Sequence, residues 1–545
     1  MMEDLVRSMI SMLDTGNEED ICAKFQEFNK ENARTFSFDI DAEYKKNLIR
    51  GIIDSLAMPR SSECHAQCLE TLRILSREKF KLYTMAEREG VQILLRHAGL
   101  DIESVHEMED KVTIEAQKCL CNLVFNSDAV QRICSSDSTC VEAVIARMKL
   151  YKGTDINADI KFFDMRLLFL LTALCSHIRP RFGNDVAALL LLLETLESTT
   201  QSDDCSETDN ETIYHMMSDR DANLAMEVLK TLFNVSMGAK RGELDEEEET
   251  LYVQLGGICR ALLLSKTSTD EKTEELQSHT VNLLTNMPNC CIQELTPECP
   301  DEGAAGGKMV HEIYLGRNID AGIVLKQFLE KRLERGGKGC RLVESLTPIL
   351  SALHAICKAN KSIRKHLRNE ILPPLRDASK LPEEGETIRN RLVRLMTNPS
   401  TDVKDLVADL LFVLCKENVD RLVKYTGYGN AAGLLCQLGL MAGGHGDGDY
   451  STDEESDTEE YLEVRNKINP ITGRVEEDKP DPTEGWTEEQ KEFHANQLAN
   501  MFDKLSREGV IQPMKVGPDG RPVPIEEAVH QIELPAESSD LSDVD

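Results

Sequence analysis

A chain of 545 residues with a formal charge of −34, 5% aromatic residues and one tryptophan, Trp486, is longer than a single hydrophobic core supports and reads as several domains or one extended repeat array. The acidic balance excludes a general nucleic-acid binder, whose phosphate contacts need clustered Lys and Arg. Abundant Leu and scarce β-branched runs lean helical.

The chain starts Met1-Met2-Glu3-Asp4, without the basic opening of a secretory signal, and its longest apolar stretches, Leu167 to Cys175 and Val186 to Leu193, are far shorter than the roughly 20 residues of a bilayer span. No membrane span is expected. A helical signature then recurs in Ala116-Gln-Lys-Cys-Leu120-Cys-Asn122-Leu, Val228-Leu-Lys-Thr-Leu232-Phe-Asn234-Val and Thr280-Val-Asn-Leu-Leu284-Thr-Asn286-Met. Looser copies occur at Cys68 to Ile74, Leu167 to Ala173, Ile349 to Ala355 and Val407 to Val413. The asparagine-equivalent positions 74, 122, 173, 234, 286, 355 and 413 are separated by 48, 51, 61, 52, 69 and 58 residues, armadillo or HEAT periods lengthened by loops. The longer steps hold polar segments at Ser198 to Asp221 and Thr296 to Lys308.

Asn122, Asn234 and Asn286 occupy equivalent places on their repeats. There an amide can line a groove and bond a guest backbone, or it can bridge neighbouring helices internally; the sequence leaves both open. Further on, the stretch from Lys326 to Arg394 holds 16 Lys or Arg against 8 Asp or Glu. Arg364, Lys365, Arg368, Arg389, Arg391 and Arg394 form its densest part and are candidates for docking phosphate.

After Met441 the composition turns to Gly and Asp, and Asp447 to Tyr461 contains eight acidic residues. Ser451 and Ser456 are each followed three places later by Glu, a pattern read by kinases of the casein kinase II type. A phosphate there adds charge and acceptors suited to arginine forks, so phosphorylation is expected to dock this segment on the basic helices. Thr487-Glu-Glu-Gln490 reads as a capping box, and Leu498, Met501, Phe502 and Leu505 form a narrow apolar stripe on the helix that follows. Such a helix, alone in a polar tail, needs something to lie against.

The catalytic search is empty. Gly303-Ala-Ala-Gly-Gly307-Lys308-Met309 is one residue short of a phosphate loop and carries Met for the magnesium-binding Ser or Thr. Gly427 to Gly433 is misspaced for a dinucleotide fingerprint and follows a helix. Seventeen cysteines, an odd number with no Cys-x-x-Cys, sit at apolar positions such as Cys119, Cys175, Cys357 and Cys415 and read as reduced core residues, with neither disulfides nor metal. No metal, cofactor or covalent catalysis is expected.

The expected fold is therefore all-α: an armadillo/HEAT-like right-handed superhelical solenoid followed by a flexible acidic tail with one amphipathic helix. Residues 1–440 are assigned to the solenoid, 441–485 to an acidic phosphorylatable linker, 486–510 to the amphipathic partner-binding helix and 511–545 to a disordered acidic C-terminus.

Leu72-Arg-Ile-Leu-Ser-Arg77, Lys118-Cys-Leu-Cys-Asn-Leu-Val124, Phe163 to Leu174 and Leu372-Pro-Pro-Leu-Arg-Asp377 resemble the synembryn family. So do Arg391 to Thr397, Lys424-Tyr-Thr-Gly-Tyr-Gly-Asn-Ala-Ala-Gly-Leu-Leu435, the acidic segment and Ile468 to Glu477. The resemblance covers nearly the whole chain. It implies a cytoplasmic chaperone and non-receptor guanine-nucleotide exchange factor for heterotrimeric G-protein α subunits, GDP-bound or nucleotide-free, that acts as a monomer and can associate peripherally with the plasma membrane. In that family the solenoid groove holds the α subunit's C-terminal helix and the tail makes a second contact. Arg73, Arg77, Asn122 and Phe169 are the implied groove contacts, and Ser451 and Ser456 the implied phosphosites, Ser456 standing where the family pattern has Thr. The tail from Thr487 to Pro513 is similar to the member type serving inhibitory and q-class α subunits. The competing readings are an importin-like or catenin-like peptide adaptor, which would not change GDP release, and a nucleotide-hydrolysing enzyme, which would bind nucleotide itself.

Overall fold

The computed structural model describes residues 2–15, 17–79, 81–101, 109–137, 139–183, 185–201, 214–237, 244–299, 312–336, 340–448, 450, 457–476 and 483–525. Ser451, Ser456, the phosphate-loop lookalike and most of the two polar loops lie outside them. The chain divides into two compact units, Met1–Val324 and Leu325–Asp545.

The first unit contains α1 Met2–Thr15, α2 Glu18–Asn32, α3 Ala42–Leu56, α4 Ser62–Leu75, α5 Arg88–His97, α6 Asp110–Asn126, α7 Asp128–Arg132 and α8 Cys140–Met148. It continues with α9 Ala158–Leu174, α10 Arg179–Gly183, α11 Val186–Ser198, α12 Asp219–Ser236, α13 Glu246–Leu263, α14 Asp270–Leu284 and α15 Asn289–Gln293. Two short strand pairs, parallel β1 His215–Met216 with β2 Ser265–Lys266 and antiparallel β3 Ile313–Tyr314 with β4 Arg317–Asn318, tie loops together.

Many of these helices start where a side chain accepts an orphan amide of the first turn. Asn17, Ser61, Ser218 and Thr269 accept from the residue three places on, and Asp245 with Glu248 closes a capping box. One layer runs α2, α4, α6, α9, α12, α14, each helix packed on the next. The other layer stacks α1 on α3, α8 on α11 and α11 on α13. The recurring Leu of the sequence signature, Leu72, Leu120, Leu232 and Leu284, is buried between the layers, each worth about 2 kcal/mol of hydrophobic transfer. This is the repeat logic of a solenoid, in which each helix pair hides its apolar face only against its neighbours.

One polar knot crosses three helices. Asp164 of α9 is fully buried and accepts from Gln117 Nε2 of α6 at 2.6 Å, Arg147 Nε of α8 at 2.8 Å and Tyr151 Oη at 2.8 Å. Arg147 also donates to the Ala98 carbonyl at 2.8 Å, so one carboxylate sets the spacing of successive repeats.

Helix α16, Asp320–Arg335, begins in the first unit and ends in the second. The second unit continues with α17 Cys340–Ala359, α18 Lys361–Ile371, α19 Ile388–Leu395, α20 Thr401–Leu414, α21 Val419–Thr426, α22 Tyr428–Leu438, α23 Glu459–Val464 and α24 Glu488–Arg507. Its core is α17 against α20. Arg341–Ala359 is long and apolar enough to cross a membrane, but Leu346, Ile349, Leu350, Leu353 and Ile356 are buried in that packing, so it is a core helix.

The expected linker and unstructured C-terminus need correcting within the described residues. Antiparallel β5 Ile468–Asn469 with β6 Arg474–Val475, and β7 Met514–Val516 with β8 Pro522–Pro524, fold back on the second unit. The first hairpin meets α22, where Tyr428 N donates to the Pro470 carbonyl at 2.8 Å and Gly429 N to the Ile471 carbonyl at 2.9 Å. The second meets its far end, where Met441 N donates to the Gly520 carbonyl at 3.1 Å. Turn-forming strings, Asn-Pro-Ile-Thr-Gly and Gly-Pro-Asp-Gly, make these hairpins; by composition alone they pass for linker. Nor does the division into units fall at residue 440: it follows Val324, which puts α17 to α22 in the same unit as the tail.

Candidate partner-binding surfaces

In the layer α2 to α14, charged and aromatic side chains link four successive helices. Arg73 of α4 donates from Nε to Glu115 of α6 at 2.7 Å and from Nη2 to Glu70 at 2.8 Å. Lys118 pairs with Glu115 at 2.8 Å and stands 5.5 Å above the Phe163 ring of α9. Arg166 and Lys230 meet on Glu227 of α12 at 2.8 and 2.7 Å, and Lys230 lies 4.7 Å over the half-buried Phe169 ring. Each bridging glutamate holds two cations; with Glu70 the first cluster is neutral, whereas Arg166 and Lys230 on Glu227 leave one net positive charge beside the Phe169 face. A guest with apolar and acidic groups suits such a surface.

The candidate contacts fall differently on it. Arg73 and Phe169 belong to the strip. Arg77 is turned to the α2–α3 connection, donating to the Thr35 carbonyl at 2.9 Å and stacking at 5.1 Å on Phe36, a ring 71% exposed; burial lowers its pKa. The asparagines point their donors inward. Asn122 Nδ2 reaches the Arg73 carbonyl at 3.2 Å and Ser76 Oγ at 3.0 Å, Asn234 Nδ2 reaches Thr172 Oγ1 at 3.1 Å, and Asn286 Nδ2 reaches Ser236 Oγ at 3.2 Å. Of the two readings left open, the donors follow the internal one: each amide bonds the C-terminal turn of the preceding helix in its layer. Lys118 and Lys230 were not singled out by sequence, although each stands four residues before a ladder asparagine and so shares its helix face.

The basic stretch of the second unit does not form one exposed patch. On α18, Arg364 and Arg368 share a face with the buried Ile363, Leu367 and Ile371 and are themselves buried, whereas Lys365, like Lys361, is exposed. Arg364 Nη1 donates to the Cys357 carbonyl at 2.6 Å, closing the last turn of α17, and its guanidinium lies 4.6 Å from the Tyr450 ring. Arg368 Nη2 donates to Tyr425 Oη at 3.0 Å. Arg391 and Arg394 pair with Glu386 at 3.3 and 3.8 Å, and burial lowers the pKa of Arg389.

The cation-rich cavity of this unit, about 190 Å³, is instead lined by Arg368, Arg421, Lys424 and Arg465 with Asp457 and Tyr461. Lys424 pairs with Asp457, the residue after Ser456. Arg421, Lys424 and Arg465 escaped sequence reasoning because they lie in α21 and past α23, away from the basic stretch. The specific string around Gly427 is a seat for the tail: a side chain at Gly427, φ 76°, would meet Ile471 and Thr472 carbonyl oxygens at 3.1 Å.

On α24, Leu498, Met501 and Phe502 are 55%, 53% and 58% exposed and Leu505 is half-buried. Phe493, at 66% exposure, extends the stripe, and Thr487 with Gln490 forms the capping box. No residue of this helix is buried.

The cysteines Cys119, Cys175, Cys357 and Cys415 are buried and free, and burial pushes the Cys119, Cys357 and Cys415 thiols up to about 12, which leaves them inert as nucleophiles. Among the described residues no group of three or more His, Cys, Asp and Glu is placed to hold a metal ion.

Comparison with known proteins supplies the frame for these surfaces. The chain is 44% identical to Chaperone Ric-8A of Xenopus tropicalis over 541 residues, covering 98% of both chains. It is 43% identical to Chaperone Ric-8A of Gallus gallus over 542 residues, again 98% of both, and 40% identical to that of Mus musculus over 527 residues, 96% of both. A crystal structure of SYS-1 covers 75% of this chain and 62% of its own at 12% identity and a TM-score of 0.42, too loose a likeness to bear on the fold. Residues 68–521 match the Ric8 family, described as guanine nucleotide exchange factor synembryn, and with relatives of this similarity end to end the chain belongs to that family.

Proposed function

We propose that the protein is a cytoplasmic chaperone and non-receptor exchange factor for heterotrimeric G-protein α subunits. Membership of the synembryn family carries this reading. The strip from Arg73 to Lys230 takes the C-terminal helix of the α subunit, and the exposed stripe of α24 makes a second contact. Holding that helix away from its own domain loosens the guanine pocket, releases GDP and shelters the empty subunit until GTP arrives. The factor forms no covalent bond; its whole effect is differential affinity for two states of its client. A kinase of the casein kinase II type phosphorylates Ser451 and Ser456, and the added charge strengthens the seat of the acidic segment on the cations of the second unit.

Fluorescent GDP release from purified α subunits, with and without this protein, tests the proposal, alongside rescue of α-subunit folding in a translation extract and direct nucleotide binding to the protein alone. Faster release and recovered folding are expected. No effect in either assay, or binding of nucleotide by the factor itself, overturns it. For the phosphorylation step, phosphorylated protein and the Ser451→Ala/Ser456→Ala variant are expected to differ in α-subunit affinity and in protease sensitivity; identical behaviour removes that step.

A further inference from the structure

Two tyrosines bracket the acidic segment, and both rings are docked on cations. Tyr450 Oη donates to Glu417 Oε1 at 2.8 Å while its ring faces the Arg364 guanidinium at 4.6 Å. The chain leading to it is fixed to the same residue: Gly448 N donates to Glu417 Oε2 at 3.0 Å and Gly446 N to the Glu417 carbonyl at 2.8 Å. At the other end, Tyr461 is 8% exposed and its ring stands 4.6 Å from Lys424 Nζ. Its backbone N donates to Thr458 Oγ1 at 3.2 Å, and that hydroxyl donates to the Leu375 carbonyl.

The two anchors are linked through α18 and the start of the tail's seat on α21. Arg364 and Arg368 are a turn apart on α18, and Arg368 bonds Tyr425, the neighbour of Lys424. Two of the cations nearest the segment are thus engaged by aromatic faces and by Asp457, with no phosphate involved.

We propose that Tyr450 and Tyr461 are positioning residues that seat both ends of the acidic segment on the second unit before it is phosphorylated. The proposal rests on the phosphorylation reading above and changes its mechanism. A tether fixed at one end must find its cations against chain entropy, whereas a loop closed at both ends keeps its phosphates at high local concentration. Ser451 adjoins one anchor, and Ser456 lies two residues before Thr458 at the other. Phosphate then reinforces an existing seat rather than recruiting a free strand.

The test uses the full chain, unmodified and phosphorylated, with Tyr450→Leu, Tyr461→Leu and the conservative Tyr450→Phe. Hydrogen exchange over 443–448 and 457–476 is read against the α17–α22 amides as an internal control of folding. In unmodified wild type these segments are expected to be protected, and each Leu variant to release its own end while the control amides stay protected. The gain in α-subunit affinity on phosphorylation should shrink about two- to fivefold with each ring lost, the range of an exposed to half-buried cation–π contact. Tyr450→Phe, which keeps the Arg364 contact, should retain most of it.

Unprotected segments in unmodified wild type, or Leu variants with the full gain, overturn the proposal. If phosphorylation gives wild type no gain, the phosphorylation reading fails on its own. The exchange comparison still decides the anchors: release confined to the Leu variants upholds the seats, and no difference ends them.

Discussion

Asn122 Nδ2 stands 3.2 Å from the carbonyl of Arg73, one repeat earlier in the chain. The residue expected to hold a guest holds its neighbour's helix end instead, and Asn234 and Asn286 do the same two and three repeats on. In the proposed function the guest is left to the strip of Arg73, Lys118, Phe169 and Lys230 beside them.

Asn122→Ala is therefore expected to act on stability. Removing the amide takes a donor from Ser76 Oγ and leaves the Arg73 carbonyl with the Ser76 hydroxyl alone, a loss of about 1–2 kcal/mol in the unfolding transition of the first unit. Phe169→Ala removes half-exposed contact area and should leave that transition nearly unmoved while weakening α-subunit binding about tenfold. Urea unfolding and a binding titration on both variants separate the roles. The assignment fails if Asn122→Ala unfolds like wild type and loses binding.

Asp164 is a costly single site in the first unit. Asp164→Ala leaves Arg147 with only backbone carbonyls such as that of Ala98 and takes the acceptor from Tyr151 between α8 and α9, and breaking a buried pair of this kind costs about 3–5 kcal/mol. Low soluble yield, or a large fall in the first unit's thermal midpoint, is expected, with the α17–α20 amides still protected from exchange. A variant as stable as wild type would show that the knot is ornamental.

How much of this was legible beforehand depends on the range of the cause. The helices, the signature Leu residues and the repeat period follow from local propensity and 3.6-residue periodicity, so they can be read directly. The strip was half legible, because Lys118 and Lys230 sit one turn before asparagines already marked. The buried state of Arg364 and Arg368 was not, since a count of charges over 326–394 ignores which face of α18 each occupies. The two tail hairpins were missed for the opposite reason. Their turn strings were visible, but their seats at Gly427 and Met441 are distant in sequence and only the fold brings them near.

His97 predicts a pH dependence. Its Nε2 lies 2.9 Å from the Leu56 carbonyl, which can only accept, so that nitrogen carries the proton; its ring packs edge-on to His65 at 4.7 Å. Burial lowers the pKa from 6.5 to about 4. The unfolded chain then binds a proton that the folded chain refuses, so this contribution is complete above the ordinary value and is lost as pH falls through the window down to about 4. The loss approaches about 3 kcal/mol for the full shift and about 2 kcal/mol by pH 5. Thermal midpoints between about pH 7 and pH 5 should fall more steeply for wild type than for His97→Gln, which keeps a donor for Leu56 but cannot titrate. Parallel slopes would exclude His97 as a source.

Helix α24 gives the sharpest separation of folding from function. Its apolar stripe adds little to the core, since Leu498, Met501 and Phe502 are each more than half exposed, so Phe502→Ser removes little buried area. The substitution makes the free protein more soluble and no less stable. The bound state loses what an aromatic anchor gives when covered by a partner, about 2 kcal/mol or more. That corresponds to roughly thirtyfold in affinity. GDP release from α subunits should slow at sub-saturating factor and recover at higher concentration, because the strip in the first unit remains intact. If Phe502→Ser lowers the thermal midpoint, the stripe has a partner within the chain; if it changes neither midpoint nor release, α24 is not the second contact.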